Sequence, residues 1–166
     1  MNKALMVIDV QKDVVGDARN TNDVVQNINS LIEKARATNT PVIWVQHSDD
    51  YLVKNSEGWD FVDALKPAAD DLRIYKTEPS SFVGTPLQEK LQEMEIESLV
   101  ITGAQTDMCV NATSNDAAGK GYDVTLVSDS HTTVDTPSQT AQQIIDEKNS
   151  QFASLGKVLP AASITF

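Results

Sequence analysis

The sequence predicts a three-layer α/β/α domain built on a doubly wound, mostly parallel sheet. Three observations carry this. Short apolar, β-branched runs recur along the chain, at residues 4–8, 41–45 and 99–102. Continuous runs of that length suit strands buried on both faces. Between them lie segments with apolar residues at three- and four-residue steps, the period of an amphipathic helix. The two kinds alternate from end to end, the pattern of a parallel sheet with helices on both faces. Connections in such a sheet are right-handed, so the carboxyl ends of its strands share one edge. Chemistry is therefore to be sought just after each strand.

The first strand, residues 4–8, runs into Asp9, with Gln11 and Asp13 close behind. Residues 21–38 follow as a helix whose stripe is Val24, Val25, Ile28, Leu31, Ile32 and Ala35, with Thr21 or Asn22 as its cap. Residues 41–45 form the second strand and leave it through Gln46, His47, Ser48, Asp49 and Asp50. In residues 54–70, Trp59, Phe61, Val62 and Leu65 stand at near-helical spacing and read as packing residues. Residues 72–75 are a short third strand ending at Lys76. Thr85-Pro86-Leu87-Gln88 has the cap, early proline and following glutamine of a helix start. The fourth strand, residues 99–102, leads through Gly103 to Cys109. A helix with small residues Ala112, Thr113, Ala117 and Ala118 follows and ends near Gly121. Residues 122–127 form the fifth strand, ending in Ser128, Asp129, Ser130 and His131. Thr136-Pro137-Ser138-Gln139 repeats the helix-start chemistry, and residues 163–166 read as a last edge strand.

Composition narrows the function. The chain has 166 residues, taken here as one domain over 1–166, with a net charge of -11. That charge argues against nucleic acid and anionic membranes as partners. No apolar run approaches the roughly 20 residues of a membrane span. The one cysteine allows no internal disulfide, so a cytoplasmic location is expected. His47 with Asp49 and Asp50 is too thin a set for a transition metal, because the only other histidine is His131. No metal and no cofactor is expected.

Asp9, Lys76 and Cys109 all fall at the carboxyl edge, after strands one, three and four. A thiol attacks a carbonyl only as the thiolate, so a base must take its proton. A buried aspartate suits that task. A neighbouring ammonium and a helix start favour the thiolate, so Cys109 is expected to ionise more readily than a free thiol. Gln46, His47, Trp59 and His131 are candidates to line a pocket for a small-molecule substrate.

Three separated motifs carry a family resemblance. The segment Ala4-Leu-Met-Val-Ile-Asp9-Val-Gln-Lys-Asp13 resembles the opening of the isochorismatase-like cysteine hydrolases. Lys76 with Ser80-Ser81-Phe82 and Gly84-Thr85-Pro86-Leu87 resembles their lysine segment. Gly103-Ala-Gln-Thr-Asp-Met-Cys109-Val, with Thr113, Ala117, Gly121 and Asp129, resembles their nucleophile segment. The resemblance implies an Asp–Lys–Cys triad: Asp9 as base, Lys76 as orienting cation and Cys109 as nucleophile. It implies a cis peptide at Ala104–Gln105, with the backbone N–H groups of Gln105 and Cys109 as oxyanion donors. It also implies a homodimer or higher homo-oligomer, with the apolar residues around Trp59 and Phe61 near an interface. The loop after strand two lacks the Asp-x-His spacing of metal-dependent nicotinamidases. The expected activity is metal-independent hydrolysis of a small amide-like C–N substrate through a thioester on Cys109. Two alternatives stand beside it: vinyl ether hydrolysis of the isochorismatase type, and a non-catalytic binding protein on the same fold.

Overall fold

A computed structural model describes residues 1–166. Its six strands are β1 (Lys3–Ile8), β2 (Val42–His47), β3 (Leu72–Lys76), β4 (Ser98–Ala104), β5 (Asp123–Thr132) and β6 (Lys157–Leu159). All pair in parallel in the order β3-β2-β1-β4-β5-β6. The five α-helices are α1 (Lys12–Val15), α2 (Thr21–Ala37), α3 (Leu87–Glu93), α4 (Asn111–Gly119) and α5 (Ala141–Phe152). The strand order reverses between β1 and β4, and the crevice of such a sheet opens at that point.

The apolar run of β1 needs burial on both faces and receives it. Leu5 and Val7 join a core with Val42, Trp44 and the α2 residues Val24, Val25, Ile28 and Leu31. Ala4, Met6 and Ile8 join a second core with Ile43, Ile74, Leu99, Ile101, Leu87 and Leu91. Successive side chains of a strand point to opposite faces, so one run feeds both cores. Gly103 lets β4 lie tightly against β1. It has φ 125°, and a Cβ there would stand 2.0 Å from the Ile8 carbonyl oxygen. No helix is long and apolar enough to cross a membrane.

Several boundaries differ from the sequence expectation. The cap position of α2 is Asn20, in the left-handed region. Thr21 instead donates its hydroxyl to the Val15 and Ala18 carbonyls. Thr85 donates to Ser81 and accepts only a long 3.3 Å bond from Leu87 N–H, so α3 starts after Pro86 without a capping box. Thr136 closes a turn with Gln139, and the capping box belongs to Thr140 and Gln143 at the start of α5. The last strand is β6, not residues 163–166, which follow from a short 3-10 turn, Ala161–Ser163, and form no strand. β5 runs on through His131, because its register against β4 shifts between Ile101 and Gly103. Residues 54–70 hold only one 3-10 turn, Glu57–Trp59. Phe61 meets Trp44 at 5.1 Å between rings, and Trp59 stacks on Tyr75. Both Trp59 and Phe61, expected near an interface, are buried within the chain itself.

Candidate active site

Asp9 follows directly on β1 with a φ of 51°, a left-handed conformation that Asp tolerates better than most residues. Its N–H is held by the Val45 carbonyl at 2.9 Å. Gln11 ties the loop behind it. Its amide donates to the His47 and Trp59 carbonyls and accepts from the His47 N–H, at 2.9–3.0 Å. Lys76 is the last residue of β3, paired with His47 across the ladder. The segment after it is anchored to α4 by Ser81, whose N–H and hydroxyl both meet the Thr113 hydroxyl at 3.0 Å. Cys109 lies in a π-helical turn, Thr106–Val110, between β4 and α4. The Ala104–Gln105 peptide before that turn is cis. The Gln105 N–H donates to no acceptor in the chain.

These elements bring Asp9, Lys76 and Cys109 together. The Lys76 ammonium lies 2.9 Å from Asp9 Oδ2, 3.2 Å from Cys109 Sγ, 2.9 Å from His47 Nδ1 and 3.0 Å from the Glu78 carbonyl. The Lys76 and Asp9 side chains are 0% and 2% exposed. Such a pair holds only if its charges are matched and hydrogen-bonded. One atom remains open: Asp9 Oδ1 is buried without a hydrogen-bond partner. Asp9, His47 and Cys109 offer donor atoms within 4.8 Å of one another. Lys76 is bonded to all three, so a fixed ammonium already supplies the positive charge of that cluster.

Burial sets the protonation states. It raises the pKa of the Asp9 carboxyl, against the pull of Lys76. It also pushes the Cys109 thiol up to about 12, with the Asp9 charge adding to the rise and Lys76 opposing it. The expectation of a readily ionised thiol is therefore reversed. Desolvation and a facing carboxylate outweigh one ammonium, and Cys109 rests as the thiol. A carboxylate of raised pKa is the better base for that thiol's proton.

A cavity of about 390 Å³ opens over the cluster, lined by Asp9, Asp13, Val14, His47, Asp49, Tyr51, Leu52, Gln105, Met108 and Cys109. Of the pocket residues expected from the sequence, His47 lines it and Gln46, Trp59 and His131 do not. Gln46 is buried, its amide on the Trp59 carbonyl. Trp59 enters the site only through that carbonyl, because its ring packs on Tyr75. His131 is buried against the Thr106–Val110 turn. Its Nδ1 meets the Thr106 hydroxyl and its Nε2 meets Asn149 Oδ1, both at 2.8 Å. It borders a separate cavity with Arg19, Asn20 and Asp129. The sequence reading missed Val14, Tyr51, Leu52 and Met108 as lining residues. Val14 sits on the short helix α1 and Met108 in the turn before α4, while Tyr51 and Leu52 lie in the loop after β2, placements that no periodicity encodes. Asp13 carried a signal, four residues beyond Asp9 in the first motif.

A family model described as the isochorismatase domain matches residues 3–154. The uncharacterized isochorismatase family protein YrdC of Bacillus subtilis is 38% identical over 135 residues, covering 76% of this chain and 72% of its own. Streptothricin hydrolase of Streptomyces noursei is 30% identical, over 81% of this chain and 56% of its own. Ureidoacrylate amidohydrolase RutB of Klebsiella pneumoniae is 30% identical, over 68% and 66%. A crystal structure of an isochorismatase family protein superposes with a TM-score of 0.91 at 31% identity, covering 95% of this chain and 98% of that one. The chain belongs to the isochorismatase family of hydrolases.

Proposed function

We propose that this chain is a metal-independent cysteine hydrolase that cleaves a C–N bond in a small amide-like substrate. The observation that carries the reading is the buried Lys76 ammonium, within 3.2 Å of both the Asp9 carboxylate and Cys109 Sγ at the floor of the cavity. Two relatives named for hydrolysis, streptothricin hydrolase and ureidoacrylate amidohydrolase, support it.

In this reading Asp9 takes the Cys109 proton as Sγ attacks the substrate carbonyl. The carbonyl π electrons move to oxygen, and the oxyanion is received by the N–H groups of Gln105 and Cys109. Collapse of the tetrahedral species breaks the C–N bond, and protonated Asp9 gives its proton to the leaving nitrogen. Water then attacks the thioester, with Asp9 taking its proton, and that proton returns to sulfur as the acid leaves. Lys76 holds the Asp9 carboxylate in place and stabilises the thiolate as it forms. No step needs a metal, because Lys76 supplies the positive charge between Asp9, His47 and Cys109.

The test is intact-protein mass spectrometry after acid quench of turnover with a panel of amides and ureido acids. An acyl adduct on Cys109, with turnover unaffected by chelators, is the expected result. Amide turnover that survives Cys109→Ala would overturn the covalent reading, and turnover of isochorismate alone, surviving Cys109→Ala, would transfer it to non-covalent ether hydrolysis.

A further inference from the structure

Lys76 has more acceptors around it than protons to give. An ammonium donates three hydrogen bonds. Four acceptors surround Lys76 Nζ: Asp9 Oδ2 and His47 Nδ1 at 2.9 Å, the Glu78 carbonyl at 3.0 Å and Cys109 Sγ at 3.2 Å. The side chain is 0% exposed, so the four compete with one another and not with bulk water. With Cys109 resting as the thiol, its sulfur is the weakest acceptor of the set. The three protons then go to Asp9, Glu78 and His47.

His47 can take its share in one form only. Its Nδ1 must be bare, with the ring proton on Nε2. The loop after β2 enforces that tautomer. Asp49 Oδ2 faces Nε2 at 3.2 Å, while Asp49 Oδ1 is held by the Tyr51 and Leu52 N–H groups at 2.8 and 2.7 Å. The Leu52 and Tyr51 bonds lower the Asp49 pKa and keep it a carboxylate, which can only accept. The ring is also aimed from its backbone. The His47 N–H donates to Gln11 Oε1 and its carbonyl accepts from Gln11 Nε2, at 2.9 and 3.0 Å. His47 stands opposite Lys76 in the β2–β3 ladder, and Asp9 faces it across the cluster.

We propose that His47 is a positioning residue for the reaction: as the neutral Nε2–H tautomer fixed by Asp49, it anchors one proton of Lys76 away from sulfur. It acts through Lys76. The inference rests on the covalent reading above and deepens it. When the Cys109 proton passes to Asp9, the carboxylate loses its charge and with it its hold on Lys76. The N–H that pointed at Asp9 turns to the new thiolate, while His47 and Glu78 keep Nζ in place. No bond to the Lys76 nitrogen breaks. Sulfur thus gains its donor only once its proton has gone, and an interaction made only along the reaction path raises the rate.

The experiment compares two substitutions of one shape. Asn and Leu are isosteric, and Asn Oδ1 falls where His Nδ1 does. His47→Asn keeps the acceptor that His47→Leu removes, with equal loss of ring volume. In the Leu variant the freed N–H has only sulfur left to bind. Cys109 should then ionise about one to two pH units lower than in the Asn variant, the strength of one hydrogen bond to a charged group. Cys109 is the only thiol, so iodoacetamide alkylation of the full chain at about pH 8 reports its thiolate fraction. His47→Leu should alkylate about tenfold faster than His47→Asn. In the Asp9→Asn/Lys76→Met background, which has no ammonium, the two should match. A Leu variant no faster than the Asn variant, or a ratio that persists without Lys76, would overturn the proposal. A third measurement needs neither substitution at residue 47. In His131→Gln protein His47 is the only histidine, and its imidazole ¹⁵N NMR spectrum at neutral pH should show the Nε2–H ring. An Nδ1–H ring would overturn the proposal as well. Alkylation and NMR need no turnover, so their failure leaves the C–N reading standing, and a protein that cleaves no amide leaves the Leu-to-Asn ratio to be read on its own.

Discussion

The two histidines sit in two polar clusters that both touch the Thr106–Val110 turn, and the clusters are built differently. Around His47, charges are buried in contact: Lys76 bridges Asp9, His47 and Cys109, and one Asp9 oxygen has no partner. Around His131, every ring nitrogen is matched. Thr106 and Asn149 take its two nitrogens, and Asn149 also donates to the Ser128 carbonyl at 3.1 Å. Burial lowers the His131 pKa, so it stays neutral. A buried polar cluster that is fully satisfied fixes geometry, whereas one with an open acceptor and an unionised thiol is poised for a reacting molecule. The first cluster is read as the reacting one. The second holds Thr106, the first residue of the turn that carries Cys109.

The largest effect that would break this comparison is loss of the Cys109 thiol. Cys109→Ala is expected to lower turnover by about 10⁴-fold or more, as removal of the nucleophile does in covalent hydrolases. A residual rate near that of the parent would move the reacting cluster away from sulfur. Lys76→Met strands the Asp9 charge in the core, and breaking a buried pair costs about 3–5 kcal/mol. Denaturant unfolding should show that loss, and the Asp9→Asn/Lys76→Met double variant should recover much of it. Recovery in the double variant separates electrostatics from packing.

The His131 side sharpens the contrast at smaller scale. Thr106→Val leaves His131 Nδ1 unpaired, at a cost of about 1–3 kcal/mol. Turnover should fall roughly tenfold with KM little changed, because the turn that aims Sγ loosens while the cavity stays intact. His131→Gln should behave alike, and the two changes together should cost less than their sum. A drop as deep as that of Cys109→Ala would erase the distinction between the clusters.

A further contrast lies in the pH dependence of stability. An ordinary thiol ionises near 9.0, whereas the folded Cys109 keeps its proton to about 12. Between those values the folded state binds more protons than the unfolded one, so stability falls as pH rises. The contribution is at most one proton, about 1.4 kcal/mol per pH unit. The Cys109→Ala variant should show a shallower decline over that range. An unchanged slope would mean that the thiol is no harder to ionise in the fold than out of it.

The sequence by itself determined five of the six strands, the mostly parallel sense of their sheet, and the family to which the chain belongs. Apolar runs with a β-strand's length alternate with helix-period stripes, and only burial on both faces of a parallel sheet satisfies both. It also placed Asp9, Lys76 and Cys109 at one edge, because each follows a strand and the right-handed crossovers leave no other arrangement. Tertiary structure decided the rest. Trp59 and Gln46 turn out to face the interior, because the 57–61 segment folds back on Gln11 through the Gln11–Phe61 bridge. Thr140, and not Thr136, caps α5, a choice between two threonines that both precede a glutamine by three residues. The protonation of Cys109 was the largest reversal. A sequence shows which charges neighbour a thiol, but not how much water is excluded from it, and exclusion of water outweighs the one ammonium beside it.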